Sequence, residues 1–237
     1  MAHAEQCAAR SGERTTALVE LYTSEGCSSC PPADRWLSGL SQTYPPTRIV
    51  PLALHVDYWD YIGWKDPYAK REFSQRQRRL SQQQRLALVY TPQVLLQGAD
   101  FRRWGSAHFD REVARINALP ARARLELEIV SRRPDALTVR VRADLAQPAA
   151  VAGAALFVAS YENGLQSQVS AGENRGRLLR HDYVALEWQG PYGLGERRVT
   201  LPLLPKAKLA HSGVVAFVQD RSTTEVLQAL MLGVCSS

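Results

Sequence analysis

The chain has 237 residues, a formal net charge of +6 and an apolar fraction of 45%, which is typical of one large or two ordinary globular domains. This apolar fraction is too high for a disordered chain, and no apolar run approaches the length of a membrane span. Nearly all of the positive charge is arginine, and aromatic residues are not interleaved with the arginine-rich segments. We therefore predict a soluble basic protein without a nucleic-acid partner and without a membrane span.

Two features at the ends of the chain bear on its compartment. Ala2-His3-Ala4 is a small-x-small triplet of the kind that signal peptidase recognises, and it stands directly before Glu5. Because no apolar segment precedes it, we expect a signal peptide to have been removed; an arbitrary start of a cytoplasmic protein is the alternative. Cys7 and Cys235 lie at opposite ends of the chain, and chain termini are often close in space. A disulfide between them is plausible and would imply an oxidising, periplasmic or secreted location.

The most informative stretch is a strand followed by two cysteines and a helix. The apolar run Ala17–Tyr22 predicts a buried strand, a short polar turn follows, and Cys27 and Cys30 come two residues apart. A helix is predicted directly afterwards and ends near Leu40, since two prolines are tolerated in a first turn whose amides have no intrahelical partner. Strand, Cys-x-x-Cys and helix together favour a dithiol redox centre.

The chemistry of such a centre follows from the helix terminus. Free amides and the helix dipole favour negative charge there, which lowers a thiol pKa from about 8.5 to roughly 3.5–7.5. We expect Cys27 to be the exposed attacking thiolate and Cys30 to resolve the mixed disulfide. Three alternatives stay open: a structural disulfide, two buried free thiols, and half of a zinc site, although no second Cys or His pair has the matching spacing.

A second buried strand, Ile49–Asp57, ends in a cluster of four aromatic residues, Tyr58–Trp64. In open α/β sheets functional groups collect beyond the carboxyl ends of strands, so this cluster is expected beside Cys27. His55 and Asp57 are two residues apart and share one face of the strand, where either could exchange protons with the resolving thiol. The alternative is that Asp57 caps the next turn and that His55 is a packed core residue.

The following segment combines a long helical pattern with a proline turn. Residues Asp66–Leu88 are predicted to form a helix whose arginine- and glutamine-rich face is solvated. Thr91-Pro92 then stands directly before an apolar strand, where the peptide bond can be cis in a tight turn or trans at an ordinary strand start. A helix over His108–Leu119 is predicted to close this part of the chain.

From about residue 121 the pattern changes to alternation with a period of two, as in Leu125, Leu127 and Ile129. About seven short strands are predicted, with Asn163-Gly164 as a tight turn, and no convincing helix. This pattern favours an antiparallel β-sandwich. We therefore predict two domains, at residues 14–120 and 121–237, joined by a linker near residues 117–123.

The segments EGCSSCPPAD, HVDYWDYIGWKDPYAKREFSQRQ, VYTPQ and GENRGRLLRHDYV are similar to those of a bacterial family called domain of unknown function 1223. The order of strand, Cys-x-x-Cys, helix, strand and Thr-Pro also resembles the thioredoxin fold. This resemblance implies an α/β thioredoxin-like domain followed by an all-β antiparallel sandwich, in a secreted or periplasmic protein. It also implies that Cys27 is the nucleophile, Cys30 the resolver and Pro92 a cis-proline preceded by Thr91.

These observations predict an extracytoplasmic thiol–disulfide oxidoreductase that acts on protein thiols or disulfides without a cofactor. The predicted site residues are Cys27, Cys30, Thr91, Pro92, His55 and Asp57. Two other function classes stay open. The first is a copper chaperone, because soft thiolates select Cu(I) and Cys27, Cys30 and His55 could bind it. The second is a binding module with a static disulfide and a ligand held by Tyr58–Trp64.

Overall fold

The fold is described from a computed structural model that covers residues 7–147, 151–205 and 207–235. The triplet Ala2-His3-Ala4, on which the prediction of a removed signal peptide rests, lies outside these residues. In the first half the elements, in chain order, are β1 (Ala8–Arg10), β2 (Ala17–Thr23), α1 (Pro31–Thr43), β3 (Ile49–His55), the 3-10 helix Asp57–Ile62, α2 (Arg71–Gln83), β4 (Gln93–Leu96), β5 (Ala99–Asp100) and α3 (Ala107–Ala118).

The second half is built almost entirely of strands. These are β6 (Ala123–Arg133), β7 (Ala136–Leu145), β8 (Ala154–Glu162), β9 (Leu165–Gln168), β10 (Leu178–His181), β11 (Val184–Tyr192), β12 (Gly195–Pro202), β13 (Ser212–Asp220) and β14 (Val226–Gly233), with one 3-10 turn at Leu209–His211. Among the residues that the structure describes, strands account for 43% and helices for 21%.

One mixed sheet of eight strands runs through both halves of the chain, in the order β14-β13-β8-β11-β3-β2-β4-β5. β2 and β3 are parallel neighbours in register from Ala17–Ile49 to Thr23–His55. β11 then joins β3 in parallel at Val184 opposite Ala53, where the amide of Ala53 donates to the Tyr183 carbonyl at 2.8 Å. Strands from the first and second halves of the chain therefore belong to one continuous sheet.

The predicted fold class, a thioredoxin-like domain followed by a separate β-sandwich, is wrong. Four strands from beyond residue 121 extend the sheet of the first half, so the sandwich does not form by itself. Their patterns explain this, because β8 and β13 are buried along nearly their whole length and need cover on both faces. The division into residues 14–120 and 121–237 stays a prediction.

Each face of the large sheet is covered by a different layer. Alternate residues of β8 point to opposite sides: Phe157 packs in the core shared with the three helices, and Val158 packs in the core shared with a second sheet. This second sheet has four antiparallel strands in the order β1-β6-β7-β12. The period-two pattern noted at Leu125, Leu127 and Ile129 is the inner face of β6, whose outer face is exposed to solvent.

Several element boundaries differ from the predicted ones for local reasons. α2 covers only Arg71–Gln83 of the predicted helix, because Pro67 lies in a turn before it and Arg85 after it has a positive φ of 55°. One of the short strands predicted beyond residue 121 spans residues 178–187, but the structure has two strands there, β10 and β11, separated by Asp182 and by Tyr183, which has a φ of 57°. None of the helices in the described part of the chain has the length and apolarity that a membrane crossing requires.

Candidate functional site

The two cysteines of the Cys-x-x-Cys segment form a disulfide at the start of α1, just beyond the carboxyl end of β2. The amide of Cys27 donates to the Ser24 carbonyl at 3.1 Å, which closes the turn after the strand. Cys30 is the residue before the first helical turn, and its carbonyl accepts from the Ala33 amide at 2.9 Å. The predicted order of strand, turn, cysteine pair and helix is confirmed.

The sulfur atoms are less accessible than the sequence led us to expect. Cys27 is only 1% exposed and Cys30 is fully buried, whereas Ser28 and Ser29 between them are exposed. The predicted exposure of Cys27 is therefore wrong. The reason is the loop of residues 169–177 between β9 and β10, which no sequence pattern placed here.

This covering loop is attached to the cysteine segment by two side chains. Asn174, itself fully buried, donates to the carbonyl oxygens of Glu25 at 2.8 Å and Cys27 at 3.0 Å. The Glu173 carboxylate accepts from the amide of Ser28 at 2.9 Å, and this bond lowers the pKa of Glu173. The covering loop thus binds three backbone groups around Cys27, namely the carbonyls of Glu25 and Cys27 and the amide of Ser28.

The aromatic cluster connects the disulfide with the Thr-Pro turn. Trp59, in the 3-10 helix, packs so closely on Gly26 that a Cβ atom there would lie 2.9 Å from the Trp59 Cβ. Its indole N–H donates to the hydroxyl of Thr91 at 2.8 Å, and the Thr91–Pro92 peptide bond is cis. One side chain therefore bridges the residue before Cys27 and the residue before Pro92.

Behind the disulfide lies a buried cluster of five titratable side chains from four parts of the chain. We call it the acid–histidine cluster; its members are Glu25, Asp34, His55, Asp66 and His181, none more than 6% exposed. Asp34 is on α1, and its amide donates to the Cys30 carbonyl at 3.1 Å. This bond places the cluster against the helix turn that carries the disulfide.

Within the cluster, each histidine contacts a carboxylate. His55 Nδ1 lies 2.7 Å from an oxygen of Asp66, which also accepts from the Glu25 amide at 2.8 Å. His181 Nε2 lies 3.0 Å from a Glu25 oxygen, and its Nδ1 lies 3.8 Å from Asp34. The two imidazole rings meet edge to face at 4.8 Å, and His55 Nε2 has no hydrogen-bond partner among the residues that the structure describes.

The electrostatic surroundings in the cluster favour the protonated forms of two of its members, Asp34 and His55. Burial raises the pKa of Asp34. Burial opposes the charged form of His55, but the negative charges of Asp66, Asp34 and Glu25 outweigh this effect and raise the pKa of His55. Burial likewise opposes the charged form of Asp66, while the charge of His55 and its hydrogen bond lower the pKa of Asp66. The site can therefore hold protons close to the disulfide.

The predicted proton-transfer residues lie in different surroundings. His55 is a member of the acid–histidine cluster, at the end of β3. Asp57 instead exchanges hydrogen bonds with Ser74 of α2: its amide donates to the Ser74 hydroxyl at 3.1 Å, and that hydroxyl donates to the Asp57 carboxylate. The proton-transfer roles of both residues stay predictions.

Sequence reasoning missed most of the site. Asp34 and Glu25 flank the cysteines and could have been noted as acids beside a dithiol, but their burial gives no local signal. Asn174 and His181 lie within the family-like segment GENRGRLLRHDYV, yet 156 residues separate His181 from its partner Glu25. Nothing in the local pattern predicts a contact over that distance.

Two further predictions about the cysteines can be compared with the structure. Cys7 and Cys235 are joined in a disulfide across a sequence separation of 228 residues, which confirms the suggested pairing. For the copper-chaperone alternative, no three His, Cys, Asp or Glu side chains in the described ranges are arranged to hold a metal ion. Both sulfurs that this alternative requires are oxidised in the structure.

Comparison with known proteins gives a fold and a family. A crystal structure of a protein from Agrobacterium tumefaciens is 25% identical, with a TM-score of 0.68 over 96% of this chain and 98% of that chain. HBP35 of Porphyromonas gingivalis is 14% identical, with a TM-score of 0.68 over 94% of this chain and 76% of that chain. No curated protein matches the sequence. The family model described as protein of unknown function, DUF1223, matches residues 18–219, so the chain belongs to this family.

Proposed function

We propose that the protein catalyses thiol–disulfide exchange with other proteins through Cys27 and Cys30. The observation that carries the proposal is the Cys27–Cys30 disulfide at the first turn of α1, a turn that also carries Asp34 of the buried acid–histidine cluster. A disulfide that closes so small a loop contributes little to holding a fold together. Titratable groups with shifted pKa values in the same helical turn as such a bond, here Asp34, favour a chemical role.

The reaction balances without a cofactor. In the reducing direction, the Cys27 thiolate attacks a substrate disulfide, a Cys27–substrate disulfide forms, and the substrate's other sulfur leaves as a thiolate. Cys30 then attacks Cys27 Sγ, which releases the second substrate thiolate and forms the Cys27–Cys30 disulfide. Two electrons pass from the protein to the substrate, and the reverse sequence oxidises a substrate dithiol. The reduction potential of the pair relative to its partner sets the direction.

Members of the acid–histidine cluster donate and accept the protons that these steps require. The buried Cys30 thiol must lose its proton to attack Cys27 Sγ, and in the reverse direction it leaves as a thiolate that must regain one. A thiolate is unfavourable in a low-dielectric site, so a nearby group that accepts and returns this proton lowers the free energy of both steps. Asp34 is connected to Cys30 through the helix turn and holds its proton more readily than an exposed carboxyl. We assign Asp34 and His55 to proton exchange with Cys30, and we include Thr91 and Pro92 as the backbone flank that contacts the substrate.

Access to Cys27 requires movement of the covering loop, residues 169–177. With Cys27 1% exposed, an incoming sulfur cannot reach it until the hydrogen bonds of Asn174 and Glu173 open. Two disulfides in one chain also favour an oxidising compartment, and we propose an extracytoplasmic location on that basis.

A second candidate function rests on this same burial. If the covering loop stays closed, Cys27–Cys30 is a static clamp and the protein is a binding module. The two functions differ in whether the folded protein is reduced by millimolar dithiothreitol. Reduction within minutes in native buffer supports exchange, and a disulfide that persists until the protein unfolds supports the clamp.

The test of the exchange function is reduction of insulin with dithiothreitol as electron donor. We expect wild-type protein to accelerate the reaction and Cys27→Ser to return it to the rate of dithiothreitol alone. Cys30→Ser should accumulate a mixed disulfide that mass spectrometry detects. The matched control is Cys7→Ser combined with Cys235→Ser, which removes the other disulfide without leaving an unpaired thiol; with circular dichroism verifying that it is folded at the assay temperature, it should retain exchange. Equal rates for Cys27→Ser and wild type would exclude the proposed function.

A further inference from the structure

Three arginines meet around a small cavity on the side of α2 that faces the turn between β13 and β14. The cavity has a volume of about 100 Å³, and its basic lining residues are Arg76, Arg79 and Arg221. Leu80, Phe157 and Pro191 complete its apolar wall. No residue of the acid–histidine cluster and no cysteine lines it, so this cavity is separate from the proposed exchange site.

Arg76 forms the fixed base of the cavity. It is 2% exposed, and its guanidinium donates to both carboxylate oxygens of Glu20, at 2.7 and 3.1 Å. A further bond of 3.1 Å reaches the Gln219 side chain, and the Trp188 ring centroid lies 4.5 Å from the guanidinium carbon. Its charge is compensated by Glu20, and its position is set by the fold.

Arg79 and Arg221 are different, because their charges are not compensated. Within the described residues neither guanidinium has a hydrogen bond or an ion pair. Partial burial, and then the positive charges of Arg76 and Arg221, lower the pKa of Arg79. The cavity therefore brings like charges together: Arg76 is buried and paired, whereas Arg79 and Arg221 are exposed to solvent at the mouth of the cavity without an internal partner, so an anion there would be attracted by both.

The turn that carries Arg221 is held in place before any ligand arrives. The amide of Arg221 donates to the Gly153 carbonyl at 3.0 Å, and its carbonyl accepts from the Gln83 side chain at 2.7 Å. Asp220 also lines the cavity, but its carboxylate accepts from the amide and hydroxyl of Ser222, at 2.9 and 2.7 Å. One carboxylate against two uncompensated guanidiniums leaves the cavity positive.

We propose that this cavity binds a small oxyanion of the phosphate class between Arg79 and Arg221, above Arg76. Planar guanidiniums donate paired hydrogen bonds to phosphate oxygens, and arginines that approach from different elements suit a tetrahedral ion. The volume is well below the roughly 300–1,000 Å³ of pockets that enclose drug-sized ligands. The ligand is accordingly inorganic phosphate or the terminal group of a phosphate monoester.

The experiment is isothermal titration calorimetry of the oxidised full chain with sodium phosphate, at constant ionic strength in chloride. We expect saturable binding of one phosphate, weakened at least about tenfold in Arg79→Gln and in Arg221→Gln, since each loses charge-assisted hydrogen bonds. Arg71→Gln is the matched control: it is an exposed arginine of the same helix that does not line the cavity, and it should bind like wild type.

Two comparison ligands make the result decisive. Glycerol 3-phosphate that binds at least as tightly as phosphate identifies a monoester site, and weaker binding identifies a site for the free ion; both support the proposal. Acetate that binds as tightly as phosphate would overturn it. So would the absence of saturable binding at phosphate concentrations up to about 10 mM, which corresponds to a binding free energy of only about −2.7 kcal/mol, or an equal loss in Arg71→Gln.

Discussion

The two disulfides of this protein are chemically the same bond in two different settings. Cys7–Cys235 joins the ends of the chain across 228 residues, whereas Cys27–Cys30 spans a separation of three. Cys7 packs in the core between the two sheets, with backbone contacts to Gly233 and Cys235. Cys27–Cys30 lies against the acid–histidine cluster and beneath the covering loop.

The comparison separates a bond that stabilises the fold from one that is suited to chemistry. In the chain-entropy view, closing a loop of about 230 residues stabilises the native state by about 5 kcal/mol, and closing a loop of four by about 2 kcal/mol. The bond that contributes less to stability is the one surrounded by groups with shifted pKa values. Sequence separation and electrostatic surroundings thus point to the same division of roles.

The largest expected effect concerns stability. Cys7→Ser combined with Cys235→Ser should lower the free energy of unfolding by about 5 kcal/mol, because the unfolded chain regains the entropy of the longest loop. Cys27→Ser combined with Cys30→Ser should lower it by about 2 kcal/mol or less. Urea unfolding of the oxidised proteins measures both values. Equal losses of unfolding free energy in the two double variants would contradict the different stabilising roles of the two disulfides.

An intermediate effect tests the surroundings of Cys27–Cys30. His55→Gln leaves Asp66 without its ionic partner in a buried site, which should destabilise the protein by about 3 kcal/mol near pH 5. The folded pKa of His55 is raised, so its contribution is complete below about pH 6.5 and is lost as the pH rises through that raised value. Asp66 has a lowered pKa, so its contribution is lost only as the pH falls below about 4.

The difference in unfolding free energy between wild type and His55→Gln should therefore be largest between about pH 4 and pH 6.5. Denaturant unfolding across this range measures it. His211→Gln, at an exposed histidine, is the control and should show no such window. A difference that is independent of pH would mean that His55 contributes by packing alone.

The smallest effect concerns access to Cys27. Asn174→Ala removes two hydrogen bonds that attach the covering loop to the cysteine segment, and should accelerate reduction by dithiothreitol about tenfold. Asn117→Ala is a matched control, because the Asn117 amide likewise joins two backbone carbonyls, those of Thr15 and Arg48, at 2.9 Å. Stopped-flow measurement of the formation of the Cys27–Cys30 dithiol gives the rate of reduction of each variant. An equal acceleration in Asn117→Ala would show that general loosening, and not the covering loop, controls access.

Local pattern was sufficient for much of the fold. Continuous apolar runs predicted β2 and β3, because a strand buried on both faces has apolar side chains at successive positions. Period-two alternation predicted β6 and β7, because a strand buried on one face has apolar side chains at every second position. The Cys-x-x-Cys segment, the helix after it and the Cys7–Cys235 pairing were also within reach of sequence reasoning. The family followed from long matching segments.

The neighbours of each strand and the groups around the disulfide become apparent only in the folded chain. The apolar sequence of β3 indicates that both of its edges and both of its faces are covered. It does not indicate that β11 is the neighbouring strand. That single pairing merges the two halves into one sheet, and the β9–β10 segment just before β11 brings Asn174 and His181 to Cys27 and Glu25. The pairing energy of two strands depends on contacts between residues that are more than a hundred positions apart in the sequence. Such contacts produce no periodic pattern in the sequence.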